Sequence, residues 1–505
     1  MKKNCFVAVV LILCLLLSAC GAYRHRNGND AASAVAEMEV KDHRISGCRA
    51  EAYTMDITLD TDENAVYGTS VVNVKNTGNS PLNELCFRLY SANISEGSIS
   101  SACNEETGTV YTVETKKDPS VIYVSLKEDT LQAGEALTVK LEFCSVIYEV
   151  DNRFGFCQNE EGKLYSMTFC FPQLAFFENG EWFEAAYIDM GESYCYDMTN
   201  YHVTLTAPSD YVVLSSGKSE TTDGKTVIEA PNVREMAITA CNFAEVKTQE
   251  SNGVTINILT PRYSATHAQY YADLYDTLLT VAVESLELYS GKLGAYIYDE
   301  LDVIPMALEN FGGMEMPGLV QICIPSAFDV AESSNRYCSE AAVATCHEIG
   351  HQWFYCAVSN NADQEPWLDE SFTSYLERLY WYSFETGKTA VNAFNEKYSP
   401  DTEYATYMDF AEGNDYDCEH YINLPFSDYP NKVYGTIVYA EGAWFLRELE
   451  LTMGSERFFE MLRDWYQQNI NQVVTGRAFI MHLLRYDDSQ PVRDVINEYI
   501  WQEAL

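Results

Sequence analysis

The chain has 505 residues, with 32 Lys+Arg against 75 Asp+Glu, a net charge of −43. An apolar content of 47%, with 13% aromatic residues, excludes a mainly disordered chain. The acid excess argues against nucleic acid or anionic lipid as a partner, since both need a basic surface. At about 150 residues per domain the length suggests roughly three domains.

The chain opens on Met1-Lys2-Lys3 and an apolar run from Phe6 to Leu17, then Leu17-Ser18-Ala19-Cys20-Gly21. That run is too short to span a bilayer but suits the apolar core of a signal peptide. The stretch ending in Cys20 resembles a bacterial lipobox, which implies cleavage before Cys20 and acylation of its thiol. Residues 1–19 are therefore expected to be a lipoprotein leader. Residues 20–46, rich in Gly, Asn, Asp, Ala and Ser, are expected to be a flexible tether. Two or more acyl chains would hold the protein stably on the membrane. No later apolar run reaches the ~18 residues of a membrane helix. Of the sixteen cysteines, Cys5 and Cys14 fall in the leader. The rest form no Cys-x-x-Cys pair and read equally well as buried thiols or as several disulfides.

From about residue 50 the apolar pattern has period two: Tyr53, Met55, Ile57, Leu59; Leu137, Val139, Leu141, Phe143; Tyr201, Val203, Leu205. Asn76-Thr77-Gly78-Asn79 and Pro208-Ser209-Asp210 supply turns between such runs. Residues 47–246 thus predict a β-rich domain of many antiparallel strands. Residues 266–291 change to mostly helical spacing, through Tyr271, Leu274, Leu278, Val281, Leu286 and Leu288. A short strand near 301–304 and a Gly-rich segment follow. Helices are then expected near 337–357, 367–386, 436–451 and 455–469, with an irregular acidic loop at 398–432. In that loop Asp415, Asp417 and Glu419 lack the Gly of an EF-hand and read as solvated charge.

Within the 337–357 run stands His347-Glu348-Ile349-Gly350-His351. Residues four apart share a helix face, so both imidazoles can reach one ion with Glu348 beside it. Hydrolytic zinc sites take three protein ligands and keep one position open. Glu370, in Trp367-Leu368-Asp369-Glu370-Ser371, opens the next helix and offers the third.

Together, His347-Glu348-x-x-His351 and Glu370 resemble the site of the zinc aminopeptidases related to aminopeptidase N. Three further stretches strengthen the resemblance. Gly312-Gly313-Met314-Glu315-Met316 is similar to the family's Gly-x-Met-Glu-Asn, and Tyr439-Ala440-Glu441-Gly442-Ala443 to its Tyr-x-Lys-Gly-Ala. Gly294-Ala295-Tyr296-Ile297-Tyr298 resembles Gly-x-Tyr-Pro-Tyr. The resemblance implies a multi-domain α+β fold, in which an N-terminal antiparallel, β-rich, saddle-like domain precedes a thermolysin-like, mostly helical catalytic domain at 247–505. It implies one Zn²⁺ held by His347, His351 and Glu370, with Glu348 as general base. Tyr439 would donate to the developing oxyanion, with Tyr434 a second candidate. An ordinary core tyrosine is the alternative in a chain this rich in Tyr.

Glu315 would accept from the substrate's α-ammonium, while Gly312, Gly313 and Met314 let its backbone lie along an edge strand. The resemblance also implies an amine contact from the β-domain, for which Gln173 is a candidate. Three positions depart from the family pattern: Met316 for Asn, Ser371 for Gly, and Glu441 for Lys. The expected protein is a zinc aminopeptidase of gluzincin type that acts on peptides with a free N-terminus. It is expected to be a monomer, exported and lipid-anchored, with no nucleic-acid partner. A zinc endopeptidase and a catalytically silent peptide-binding lipoprotein remain the alternatives.

Overall fold

Alternation of apolar and polar residues becomes strand structure in the N-terminal half, as the period-two runs require. The computed structural model of the protein describes residues 43–188, 191–309, 311–324, 336–384, 421–429 and 433–501. The leader, Cys20 and the Asp415–Glu419 stretch lie outside them. Cys48–Asp60, Ala65–Asn76, Ala136–Val146 and Thr199–Thr206 belong to one seven-stranded sheet. Tyr53, Met55, Ile57 and Leu59 are buried on one face of Cys48–Asp60. Val139, Leu141, Phe143, Tyr201, Val203 and Leu205 join them in a core shared with residues of two four-stranded sheets. One pair departs from the antiparallel expectation: Thr199–Thr206 runs parallel to Cys48–Asp60. Parallel pairing needs a long crossover, and most of the domain lies between these two strands.

A second, five-stranded sheet starts with the hairpin Ala244–Ser251 and Val254–Pro261. It continues through Glu300–Met306 and Leu319–Cys323 and ends on the edge strand Gly313–Met316. Helix Ala268–Leu293 buries Tyr271, Leu274, Leu278, Val281 and Leu286 of the residues whose spacing predicted it, and Leu288 is partly buried against the same core. Behind the sheet lie Arg336–Gly350, Trp367–Phe384, Gly442–Met453, Ser455–Asn469, Gly476–Tyr486 and Gln490–Tyr499. The last two were not expected from sequence.

Two helix limits differ from expectation. The Arg336 helix stops at Gly350 rather than near 357, because Gln352 N and Trp353 N bond three residues back and tighten its end. Tyr355 then takes φ 110°, which no helix continues through. The stretch expected to open a helix at 436 is instead a π-helix, Gly435–Glu441, with the α-helix starting at Gly442.

The two halves are joined by buried polar contacts. Arg234 donates from Nε to the carbonyl of Tyr355 at 2.9 Å, and from its two Nη atoms to those of Tyr196 at 2.7 Å and Gln472 at 3.2 Å. His43–Arg44, in the stretch read as tether, pair antiparallel with Val473 and Val474. Cys48, Cys86, Cys103, Cys144, Cys157, Cys170, Cys195, Cys241, Cys323, Cys346 and Cys356 are free thiols. No described helix is long and apolar enough to cross a membrane.

Candidate functional site

The fold brings His347, His351 and Glu370 together. Arg336–Gly350 presents His347, with His351 on the turn that closes it, and the first turn of Trp367–Phe384 presents Glu370. Their donor atoms lie within 4.8 Å of one another, and all three residues are buried. Glu370 Oε2 stands 3.2 Å from His347 Nε2 and 3.3 Å from His351 Nε2. Ligands about 2.0–2.1 Å from a tetrahedral zinc are spaced by about 3.3 Å, so Glu370 Oε2 already has zinc spacing to both histidines.

The far ring nitrogens support the same assignment. His347 Nδ1 lies 3.1 Å from Glu377 Oε2, and His351 Nδ1 lies 3.2 Å from both the Phe354 carbonyl and Thr373 Oγ1. An Nδ1–H donating to Glu377 or Phe354 leaves each Nε2 lone pair for a metal. This donor set, with its carboxylate-backed histidine, fits Zn²⁺. Glu377 was not foreseen from sequence, although it lies two turns beyond Glu370 on one helix face. Burial pushes His347 down, but hydrogen bonds to Glu370 and Glu377 carry it well above its ordinary value. The two histidines hold Glu370 below the usual carboxylate range against the effect of its burial.

Glu348 is buried beside the histidines. Burial lifts its pKa to about 7, while His347 and His351 pull it down. Gly313 lies against it: a Cβ there would come within 2.5 Å of Glu348 Cγ and Oε1. The glycine therefore makes room for Glu348. At Gly312 an added Cβ would meet only Ala344 Cβ, at 3.6 Å.

Along the edge strand, Glu315 points to the site, and Met314 and Met316 point to the other face. Met314 accepts a hydrogen bond at sulfur from Tyr194 OH at 3.7 Å, and both methionines sit in an apolar cluster. Met316 is thus core. Its carbonyl is held by Gln352 Nε2 at 3.0 Å, while Gln352 Oε1 accepts from Gly318 N at 2.9 Å.

Glu315 is 2% exposed, and its Oε1 has no hydrogen-bond partner. Glu192, from a loop of the β-domain, lies close enough for its carboxyl to act on that of Glu315. Burial raises both pKa values, and Glu192 and Glu348 raise Glu315 further. Arg153 backs this pair. Its two Nη atoms reach the Gly191 carbonyl at 3.4 and 3.3 Å, and its guanidinium lies 4.8 Å from the Phe311 ring centre. Gln173 is elsewhere: its Nε2 donates to Tyr201 OH and to the Arg234 carbonyl, each at 3.0 Å, within the β-domain. The β-domain residue brought to Glu315 is Glu192. No periodicity or motif in Gly191-Glu192-Ser193-Tyr194 singles it out.

Tyr439 stacks on His347, with ring centres 5.8 Å apart and planes 9° apart, and its hydroxyl donates to Glu370 Oε1. Tyr434 packs edge-on to Tyr439 at 5.9 Å and to Phe426 at 4.8 Å, as part of an aromatic wall. The charge of Glu441 acts on Tyr429 and Tyr499.

Comparison with known proteins follows the same line. Residues 278–499 match the peptidase family M1 domain. Aminopeptidase M1-C of Oryza sativa subsp. japonica is 23% identical over 317 residues, covering 60% of this chain and 34% of that protein. Mitochondrial aminopeptidase 2 of Saccharomyces cerevisiae is 26% identical over 330 residues, 62% of this chain and 32% of its own. The chain thus spans about a third of the length of these curated relatives. A solved structure of yeast LTA4 hydrolase with bestatin superposes with TM-score 0.65 at 13% identity, over 93% of this chain and 70% of that one. The stretch that matches the peptidase family M1 domain, residues 278–499, contains the clustered His347, His351 and Glu370.

Proposed function

We propose that the protein is a zinc aminopeptidase that removes N-terminal residues from peptides. The observation that carries this reading is the buried Glu315 carboxylate on an edge strand, with an unpartnered Oε1 and Glu192 beside it. A substrate ammonium satisfies these groups, whereas an acylated terminus leaves a buried carboxylate unpaired, at a cost of about 1–3 kcal/mol or more. An endopeptidase has no use for such a pocket.

The edge strand Gly313–Met316 offers its open side to an extended peptide. Glu315 and Glu192 hold the amine and so set the scissile bond one residue along. His347, His351 and Glu370 would hold Zn²⁺, which when bound would supply Lewis acidity toward the carbonyl and lower the pKa of water. Glu348 takes the proton of the attacking water and hands it to the leaving nitrogen. Tyr439 O–H donates to the carbonyl oxygen as it gains charge.

The test is turnover of aminoacyl reporters and of matched free and acetylated peptides, with zinc measured on the same sample. Cleavage of free termini alone is expected, and Glu315→Ala should abolish that preference. Equal cleavage of acetylated and free peptides would overturn the reading.

We further propose a lipid-anchored enzyme outside the cytoplasm, on the basic start, apolar run and Cys20 of the sequence, with a monomer as the expected state. Cys20→Ser should move the protein from the membrane to the soluble fraction and remove fatty-acid labelling. Continued labelling of that variant would defeat the anchor, and a dimeric mass on sizing would defeat the monomer.

A further inference from the structure

Tyr439 sits in the middle of a π-helix, a rare and poorly bonded form that concentrates at functional sites. Such a turn needs support from outside. Ser371, fully buried, donates from Oγ to the Val438 carbonyl at 2.7 Å. Arg378 donates from Nη1 to the Ala440 carbonyl at 3.1 Å. The two carbonyls that flank Tyr439 are therefore both held by the helix that carries Glu370. Seven residues separate the two donors, which places them two turns apart on one helix face. Gly442 completes the fit, since a Cβ there would lie 1.9 Å from Ser371 Oγ.

We infer that Ser371 and Arg378 are positioning residues for Tyr439, fixing its hydroxyl over the metal position by clamping the carbonyls on either side of it. The inference rests on the catalytic reading of Tyr439. Ser371 neighbours a metal ligand but faces away from the metal. Successive helical residues are rotated by about 100°, so Glu370 meets the histidines while Ser371 meets the π-helix. The serine that departs from the family's glycine thereby ties the third ligand and the phenol donor into one unit.

The experiment compares Ser371→Ala, Arg378→Met and Tyr439→Phe, singly and combined, in the full zinc-loaded chain. Ser371→Ala should lower kcat about five- to tenfold, the rate equivalent of one hydrogen bond. KM should be unchanged and zinc should stay at one per chain. In the Tyr439→Phe background neither Ser371→Ala nor Arg378→Met should lower kcat further. Additive losses in that background, or a lower melting temperature with unchanged kcat, would overturn the inference. Should Ser371→Ala fail to fold, Arg378→Met carries the same test through Ala440. If Tyr439→Phe itself leaves kcat intact, the catalytic reading of Tyr439 fails. If only Tyr439→Phe lowers it, the positioning inference alone fails.

Discussion

At the scale of single residues, the proposed function divides the site into groups that would hold the metal and groups that would move protons. Glu348 is buried beside both histidines but bonds to neither in the hydrogen-bond network of Glu370 and Glu377. Glu348→Gln should therefore retain one zinc per chain while turnover falls by about 10²–10⁴. Metal analysis and single-turnover kinetics on one preparation check this, and loss of zinc would contradict it. Glu377 has the complementary part, since it fixes the His347 ring through Nδ1 at 3.1 Å. Glu377→Gln should weaken zinc by roughly 10–100-fold, measured by chelator competition. The histidines and Glu348 were legible in the sequence because four-residue spacing is a local property of a helix. Glu192 was not, because only long-range packing brings its loop to Glu315.

Between elements, the edge strand and the first-ligand helix are fitted to each other through a missing side chain. Gly313 leaves the space that Glu348 fills. Gly313→Ala should overpack this contact, costing about 1–3 kcal/mol of stability. The loss of turnover should exceed that of KM, with zinc retained. Chemical denaturation and steady-state kinetics decide it, and wild-type turnover would show that the strand yields freely. Sequence alone assigned the glycines only a role toward the substrate; the structure adds a steric one. The π-helix was equally hidden, since its apolar spacing differs too little from an α-helix over seven residues to be read.

Across the whole molecule, the β-domain and the catalytic domain are sealed by Arg234 and by a neighbouring buried acid, Glu235. Burial raises the Glu235 pKa to about 8, although a hydrogen bond from Tyr355 OH at 2.8 Å and the Arg234 charge lower it. The folded state therefore binds this proton more tightly than the unfolded chain. Between about pH 4.5 and 8 stability should fall as pH rises, by up to a few kcal/mol. Glu235→Gln should flatten that slope, gaining on the parent most at pH 8 and least below pH 4.5. Denaturant unfolding across this range checks it, and parallel curves for the two proteins would refute it.

By itself the sequence pointed to His347, His351 and Glu370 as candidate ligands and Glu348 as candidate base, and to the strand-rich first half and the helical second, because each is written in short-range spacing. Only the tertiary structure decided that Glu192 rather than Gln173 meets Glu315, that Met316 is core, and that Ser371 and Arg378 bracket Tyr439. Those pairings join residues tens to over a hundred positions apart, and their chemistry depends on burial and approach, which no local pattern encodes.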